Sequence, residues 1–181
     1  MKFQYNVNVN DQDYLDYHIF WMLRSPYGKK QMVSLRIVIT VIFAVFSLIS
    51  LFGGKFTVDA FIGILPTLIL LLLFHMLLAK FVVWSIKGQL RTLKKSGKMG
   101  YSPDAVIEFW EDRFVEITPD NKTEHTYSAI ERVSIVDDKV IYIHINNVMS
   151  YMLPFSCFES KGQYDDFFRF LKTKCANIDV Y

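Results

Sequence analysis

The chain has 181 residues, of which 52% are apolar and 21% charged, and its formal net charge is +2. The high apolar content, with eight glycines and two cysteines, excludes a disordered chain, a collagen and a disulfide-stapled secreted scaffold. The small net charge is a cancellation, because segments 1–36, 37–79, 80–100 and 101–181 carry +2, 0, +6 and −6.

The first 30 residues predict a cytoplasmic strand followed by a short helix. Apolar and polar side chains alternate from Phe3 to Asn10, which is typical of a half-buried strand. Asn10 or Asp11 is suited to cap the helix that follows, and the helix is expected to end near Ser25. Because a lone strand is unstable, we expect it to join the sheet formed by the C-terminal segment.

Residues 31–100 predict a transmembrane hairpin with spans at about 37–54 and 60–79, followed by a basic helix. The spans contain 18 and 20 consecutive uncharged residues, of which 12 and 13 are Leu, Ile, Val or Phe. Helices of this length match a hydrocarbon core of about 30 Å, and inserting each is worth roughly −4 to −8 kcal/mol. A buried hairpin in a soluble protein is the alternative, but such helices usually carry a polar stripe.

The cations around the hairpin predict its orientation. Four cations precede the first span within residues 24–36 and six follow the second within residues 80–98, whereas the connecting segment carries Lys55 alone. The positive-inside rule therefore predicts a multi-pass protein of the cell membrane with both termini in the cytoplasm. We expect no cleavable signal peptide, because 36 residues precede the first span and no small-residue cleavage pattern follows it.

Three features of the hairpin have competing interpretations. Pro66 predicts a kink in the second span, and a transport gate is the alternative. His75 lies close to Lys80, so an interfacial histidine is favoured over a proton relay. Gly53–Lys55 predicts a turn, because it lacks the spacing of a phosphate-binding loop.

The segment after the second span predicts an amphipathic basic helix. Its cations fall within an arc of about 100° and its apolar residues within the adjacent arc. The candidate lipid-binding residues are Lys87, Arg91, Lys94, Lys95 and Lys98, with Trp84 at the level of an aromatic belt. Such cations attract anionic lipid by about 1 kcal/mol each. Alternatively, they only enforce topology or dock the acidic segment that follows.

Residues 101–181 predict a cytoplasmic domain of short antiparallel strands closed by a helix. Six β-rich runs alternate with turn residues, at 105–110, 113–118, 123–127, 132–136, 140–145 and 148–153. Strands joined this tightly predict one antiparallel meander. The spacing of Tyr164, Phe167, Phe168 and Leu171 predicts a helix over 161–175 that covers an open end of the sheet.

The sequence predicts no catalytic centre, metal site or cofactor. The histidines at positions 18, 75, 125 and 144 lie on different elements, and Cys157 and Cys175 lack zinc-site spacing. A Cys157 nucleophile paired with His125 or His144 is a minor alternative. The acidic pairs 137–138 and 165–166 are typical of a turn and a helix start. Nucleic acid is not an expected partner, because the domain is acidic.

Several short motifs of packing and turn residues are spread over nearly the whole chain. They are 10–15 (NDQDYL), 25–26 (SP) before the hairpin, 126–133 (TYSAIERV), 140–143 (VIYI), 153–155 (LPF) with Phe158, and 166–171 (DFFRFL). In these motifs the chain resembles the YcxB-like membrane proteins. The resemblance implies a bacterial inner-membrane protein whose C-terminal domain is pleckstrin-homology-like, a curved sheet capped by a helix. It implies no catalytic residues.

The expected fold is therefore an α+β membrane protein with a two-helix transmembrane hairpin and a small antiparallel, pleckstrin-homology-like sheet. The expected function is a non-enzymatic, membrane-anchored module that binds a protein partner or itself at the inner membrane face. Anionic-lipid sensing through the basic helix is the alternative. An accessory subunit of a membrane transporter, or an enzyme using His75 or Cys157, is a further alternative.

Overall fold

The protein, seen here in a computed structural model, is described at residues 1–52, 58–97, 101–146 and 149–181. It forms two compact units: a helical unit, Leu15–Lys98, and a β unit that combines Met1–Tyr14 with Met99–Tyr181. The α+β class with a two-helix apolar hairpin is confirmed. The predicted turn at Gly53–Lys55 and the predicted lipid-binding Lys98 lie outside the described residues.

Three helices build the helical unit: α1 (Asp11–Leu23), which begins in the β unit, α2 (Pro26–Phe52) and α3 (Val58–Ser96). The 39 residues of α3 include both the second predicted span and the predicted basic helix, because no residue between them stops the helix. The helix also continues through Pro66, where the kink stays a prediction.

Two of these helices are long and apolar enough to cross a membrane. The apolar stretches cover Pro26–Ile49 and Ile64–Ser96, and only 6% and 11% of the residues in their most apolar windows are buried. Phe46, Leu72 and Met76 expose 64%, 62% and 69% of their surface. The helices therefore differ from the core helices of a soluble protein, which bury such side chains.

The start of α1 follows from a reciprocal cap. The Asn10 side-chain oxygen accepts hydrogen bonds from the Gln12 and Asp13 amides at 2.7 and 3.1 Å. In return, the Asp13 carboxylate accepts from the Asn10 amide at 3.0 Å. Asn10 is thus the cap, in the capping-box arrangement that satisfies donors on both sides of the helix start.

The junction of α1 and α2 depends on a buried serine and a glycine. The Ser25 hydroxyl donates to the Trp21 carbonyl at 2.5 Å and accepts from the Gly28 amide at 3.0 Å. A Cβ on Gly28 would lie 2.1 Å from the same Trp21 carbonyl oxygen. Only glycine therefore lets the two helix ends approach this closely.

In its described residues, the β unit contains eight strands, one whole helix and the start of α1. The strands are β1 (Phe3–Asn8), β2 (Asp104–Phe109), β3 (Arg113–Ile117), β4 (Lys122–Thr126), β5 (Arg132–Val136), β6 (Val140–His144), β7 (Ser150–Pro154) and β8 (Ile178–Val180). The helix is α4 (Lys161–Lys174). The strand β1 pairs antiparallel with β2, from Phe3 opposite Phe109 to Asn8 opposite Asp104.

The single meander predicted from the sequence is wrong. The strands form two four-stranded sheets, β1-β2-β3-β4 and β7-β6-β5-β8. The division falls at the 3-10 turn Tyr127–Ala129, where the buried Tyr127 ring packs on Phe114 and Phe170 instead of continuing a ladder. The second sheet also contains β8, which was not predicted and which pairs parallel with β5. The pleckstrin-homology-like description stays a prediction.

One hydrophobic core fills the β unit. Phe109 and Phe114 come from the first sheet, Ile141 and Leu153 from the second, and all four are fully buried. The helix α4 closes this core through Phe167, Phe170 and Leu171. The residue range of the helix agrees with the prediction to within one residue. Its buried face, however, includes Phe170, whereas Phe168 is only half-buried.

Candidate functional site

The C-terminal half of α3 presents an exposed row of cations. Lys87, Arg91, Lys94 and Lys95 are all exposed, as the helical spacing predicts. The half-buried apolar side chains lie on the adjacent face, at Val83, Ile86, Leu90 and Leu93. The helix ends at Ser96 and is followed by Gly97, whose φ of 67° suits glycine. The Gly97 amide donates to the Lys94 carbonyl at 3.2 Å.

Trp84 lies at the apolar end of this row. It exposes 69% of its surface, and its ring centroid is 5.8 Å from that of Phe81. Both rings are exposed, Trp84 about one turn and Phe81 nearly two turns before Lys87, the first cation of the row. An aromatic pair beside exposed cations is the composition of a helix at a membrane interface.

His75 makes a polar contact between α2 and α3. Its Nε2 lies 3.1 Å from the Thr40 hydroxyl, which in turn donates to the Arg36 carbonyl at 2.8 Å. This hydrogen bond joins the two helices. The residue thus contributes to helix association, and its roles as an interfacial histidine or a proton relay stay predictions.

A surface groove lies on the β unit between the β5–β6 turn and the start of α4. Its volume is about 450 Å³, and it is lined by Asp138, Phe155, Phe158, Ser160, Lys161 and Tyr164. The three aromatic residues are half-buried and pack against the hydrophobic core of the β unit. The groove brings together residues from three segments, which is why no sequence motif marks it.

Two local devices hold the rim of the groove. Asp137 and Asp138 have φ values of 51° and 50°, the left-handed conformation of a tight hairpin turn that Asp tolerates. On the other rim, Ser160 caps α4 by accepting from the Gln163 amide at 3.2 Å. The predicted turn over 137–138 is confirmed, and the Asp138 carboxylate and the Lys161 side chain line the groove from opposite segments.

The comparisons with known proteins give one match. Residues 109–171 match the family model described as YcxB-like protein. The segment 109–171 is named the YcxB-like domain after this match. No curated protein matches the chain, and no solved structure does.

The match covers the groove, two of the four strands of the first sheet (β3 and β4) and three of the four strands of the second (β5, β6 and β7). It runs from the last residue of β2 into α4, so all six groove-lining residues lie within the YcxB-like domain. The exposed cations of α3 lie outside it. The resemblance noted from the sequence motifs is thereby confirmed over residues 109–171, which contain the motifs from Thr126 onwards but not those before the hairpin.

Cys157 does not pair with a histidine in the YcxB-like domain. His125 is 2.9 Å from the Tyr151 hydroxyl, and no hydrogen bond among the described residues joins Cys157 to it or to His144. Burial raises the pKa of the Cys157 thiol to about 12. The thiol is therefore protonated at neutral pH, and a protonated thiol is a poor nucleophile.

His144 is instead the centre of a buried polar cluster. It is 1% exposed, and its Nδ1 and Nε2 lie 2.7 Å from the Ser150 hydroxyl and 3.1 Å from the Ser134 hydroxyl. Burial, with a smaller contribution from the Arg132 charge, lowers the pKa of His144 to about 4. A neutral histidine thus joins β5, β6 and β7 through its two ring nitrogens.

The described part of the chain contains no group of three or more His, Cys, Asp or Glu side chains that could hold a metal ion. The acidic residues at 165–166 lie in the second turn of α4, where Asp166 pairs with Arg169, and the first turn has no acidic residue. The interpretation of these residues as a helix start is therefore wrong, because α4 begins at Lys161.

Proposed function

We propose that this protein is a non-enzymatic, membrane-anchored interaction module. In this proposal, α2 and the apolar part of α3 cross the cell membrane, and the YcxB-like domain binds a protein partner or a second copy at the cytoplasmic face. The exposure of apolar side chains along both helices is the observation that carries the proposal. In a membrane, hydrocarbon would cover these side chains. In water, they would form a large exposed apolar surface, which is unfavourable.

The cytoplasmic location of both termini is supported by the charge distribution. The N-terminal part of α2 and the segment after the apolar part of α3 are rich in Lys and Arg, and the connection between the helices carries Lys55 alone. Cations on one side of a hairpin mark the cytoplasmic side. The YcxB-like domain follows the second cationic segment in the chain, so the proposal places it in the cytoplasm.

Cysteine labelling in intact cells tests the anchor and its orientation. On a background with Cys157 and Cys175 changed to alanine, Gly54→Cys should react with a membrane-impermeant maleimide. The matched variant Asp120→Cys, in the β3–β4 turn, should react only after the membrane is permeabilised. Labelling of Asp120→Cys in intact cells would overturn the orientation, and release of the protein by alkaline carbonate would overturn the anchor.

Purification in mild detergent tests the interaction role. We expect the full-length protein to elute as a complex larger than its monomer in a detergent micelle, either with a second copy or with a co-purifying protein. In-cell crosslinking before extraction should give the same species. A monomer without a crosslinked partner in both experiments would overturn the interaction module.

A second candidate function is the sensing of anionic lipid. It is favoured by the exposed row Lys87, Arg91, Lys94 and Lys95 beside the exposed Trp84. Each cation near an anionic surface contributes about 1 kcal/mol at most, and salt screens the attraction. The row therefore has enough charge to distinguish anionic from zwitterionic membranes.

Fluorescence quenching by brominated lipid tests this candidate. In nanodiscs, brominated phosphatidylglycerol should quench Trp84 more than brominated phosphatidylcholine does, and added salt should reduce the difference. Changing the four cations to glutamine should abolish the preference. A control set on the β unit, Lys122, Lys139, Lys172 and Lys174 changed to glutamine, should keep it. Equal quenching by the two lipids would exclude lipid sensing by this row.

A further inference from the structure

The groove on the YcxB-like domain has the size and composition of a small-molecule site. Its volume of about 450 Å³ falls within the range of ligand pockets, about 300–1,000 Å³. Such pockets combine an apolar wall with a few polar groups that fix the orientation of the ligand. The groove has an apolar wall and polar groups, on residues from the β5–β6 turn, the segment that follows β7 and the start of α4.

Three aromatic rings form the wall of the groove. The ring centroid of Phe155 lies 4.5 Å from that of Tyr164 and 5.9 Å from that of Phe158, and the third pair is 5.5 Å apart. The rings of Phe155 and Phe158 are nearly perpendicular, at 85°. Because these packed rings remain half-exposed, they offer a rigid apolar surface with little side-chain entropy to lose on binding.

Two charges of opposite sign line the same groove and have no ion-pair partner in the described residues. Asp138 and Lys161 are both exposed, and neither makes a salt bridge within 4.0 Å there, even with the other. Burial raises the pKa of the Tyr164 hydroxyl, and the Asp138 and Asp165 carboxylates add to this increase. The groove therefore offers a negative subsite beside Tyr164 and a positive one at Lys161.

We propose that this groove binds a small zwitterion with an apolar body, the chemistry of an apolar α-amino acid. The ammonium group pairs with Asp138, the carboxylate pairs with Lys161, and the apolar body packs on Phe155, Phe158 and Tyr164. Charge complementarity selects this class, because a singly charged ligand leaves one groove charge unmatched. The inference goes beyond the interaction module, since the domain takes up the ligand whether or not it also binds a partner.

Three probes of one shape and different charge test the proposal. L-phenylalanine carries both charges, L-phenylalaninamide only the cation and 3-phenylpropionate only the anion. Equilibrium dialysis against the full-length protein in detergent micelles measures each affinity. We expect phenylalanine to bind about tenfold more tightly than either singly charged probe, the effect of one charge-assisted contact.

Variants at the two charges separate the subsites. Asp138→Asn keeps a residue that tolerates the positive φ, and it should weaken phenylalanine and the amide about tenfold but leave 3-phenylpropionate unchanged. Lys161→Gln should show the mirror pattern. The matched controls Asp120→Asn and Lys122→Gln, in the β3–β4 turn region, should leave all three affinities unchanged.

Three results would overturn the proposal: no phenylalanine binding up to about 10 mM, binding that neither groove variant weakens, or tighter binding of a singly charged probe than of phenylalanine. Circular dichroism of each variant verifies that the fold is intact. Failure of phenylalanine binding would not affect the proposal that the protein binds a partner. Equally, a monomer without a partner would not affect the proposal that the groove binds a ligand, so the two proposals can be refuted separately.

Discussion

The buried His144 makes the stability of the β unit depend on pH. Its pKa is lowered from 6.5 to about 4 in the folded protein, chiefly by burial. Between these two values the unfolded state binds a proton that the folded state does not, so stability falls as the pH falls. The stabilisation is fully present above pH 6.5 and is lost between about pH 6.5 and pH 4. The loss at pH 4 amounts to about 3 kcal/mol.

Urea unfolding of two proteins measures this contribution. The unfolding of the wild type and of His144→Gln is followed at pH 7.5 and pH 4 by Trp110 fluorescence, with Trp21 and Trp84 changed to phenylalanine in both. His144→Gln lowers stability at pH 7.5, because it disturbs the bonds to Ser134 and Ser150. The difference between the two proteins should shrink by about 3 kcal/mol at pH 4, because only the wild type can lose the histidine contribution.

A third variant separates the two causes of the shift. Arg132→Gln removes the neighbouring charge but leaves His144 buried, so it should reduce the pH-dependent loss by less than half. Parallel pH dependences of wild type and His144→Gln, within about 0.5 kcal/mol, would refute the reasoning, since His144 would then titrate alike in both states.

Substitutions at Gly28, Phe167 and Ser160, two of them with a matched comparison variant, test packing and capping by thermal unfolding in mild detergent. Gly28→Ala should destabilise the helical unit by more than about 2 kcal/mol, because the new Cβ meets the Trp21 carbonyl. Gly88→Ala, where a Cβ meets open space, should stabilise the unit by up to about 1 kcal/mol. Equal effects of the two substitutions would exclude the clash at Gly28. Phe167→Ala should cost the β unit about 3–5 kcal/mol, and a cost below about 1 kcal/mol would contradict its position in the core. Ser160→Ala should cost about 1 kcal/mol, and Ser160→Asp, which keeps an acceptor, should restore most of it.

Local patterns were sufficient for most elements of the β unit. Every predicted strand lies within two residues of an observed one at each end, and α4 ends one residue before the predicted end. Alternation and turn residues act over a few positions, so the sequence displays them directly. The division into two sheets was missed because alternation does not say which strand lies beside which. The strand β8 was missed because its three residues are ordered by pairing with β5, far away in the chain.

The groove illustrates the same limit at the level of a site. Asp138 was predicted as a turn residue, and Phe155 belongs to a motif of packing and turn residues, and each interpretation is locally reasonable. Only the folded chain brings the β5–β6 turn beside the first turn of α4, and only there does Lys161 join Asp138 at one cavity. The basic row of α3 was predictable, in contrast, because its cations are three and four residues apart on one helix.

The sequence by itself determined the two long apolar helices, the unequal placement of positive charge around them and the strands of the domain that follows. These properties depend on hydropathy, charge and period within one segment. Tertiary structure alone decided which strands pair, that His144 is buried between two serines, and that an aromatic wall lies beside two charges with no ion-pair partner in the described residues. Each of these is a contact between distant segments, and burial and the electrostatic field arise only when such segments meet.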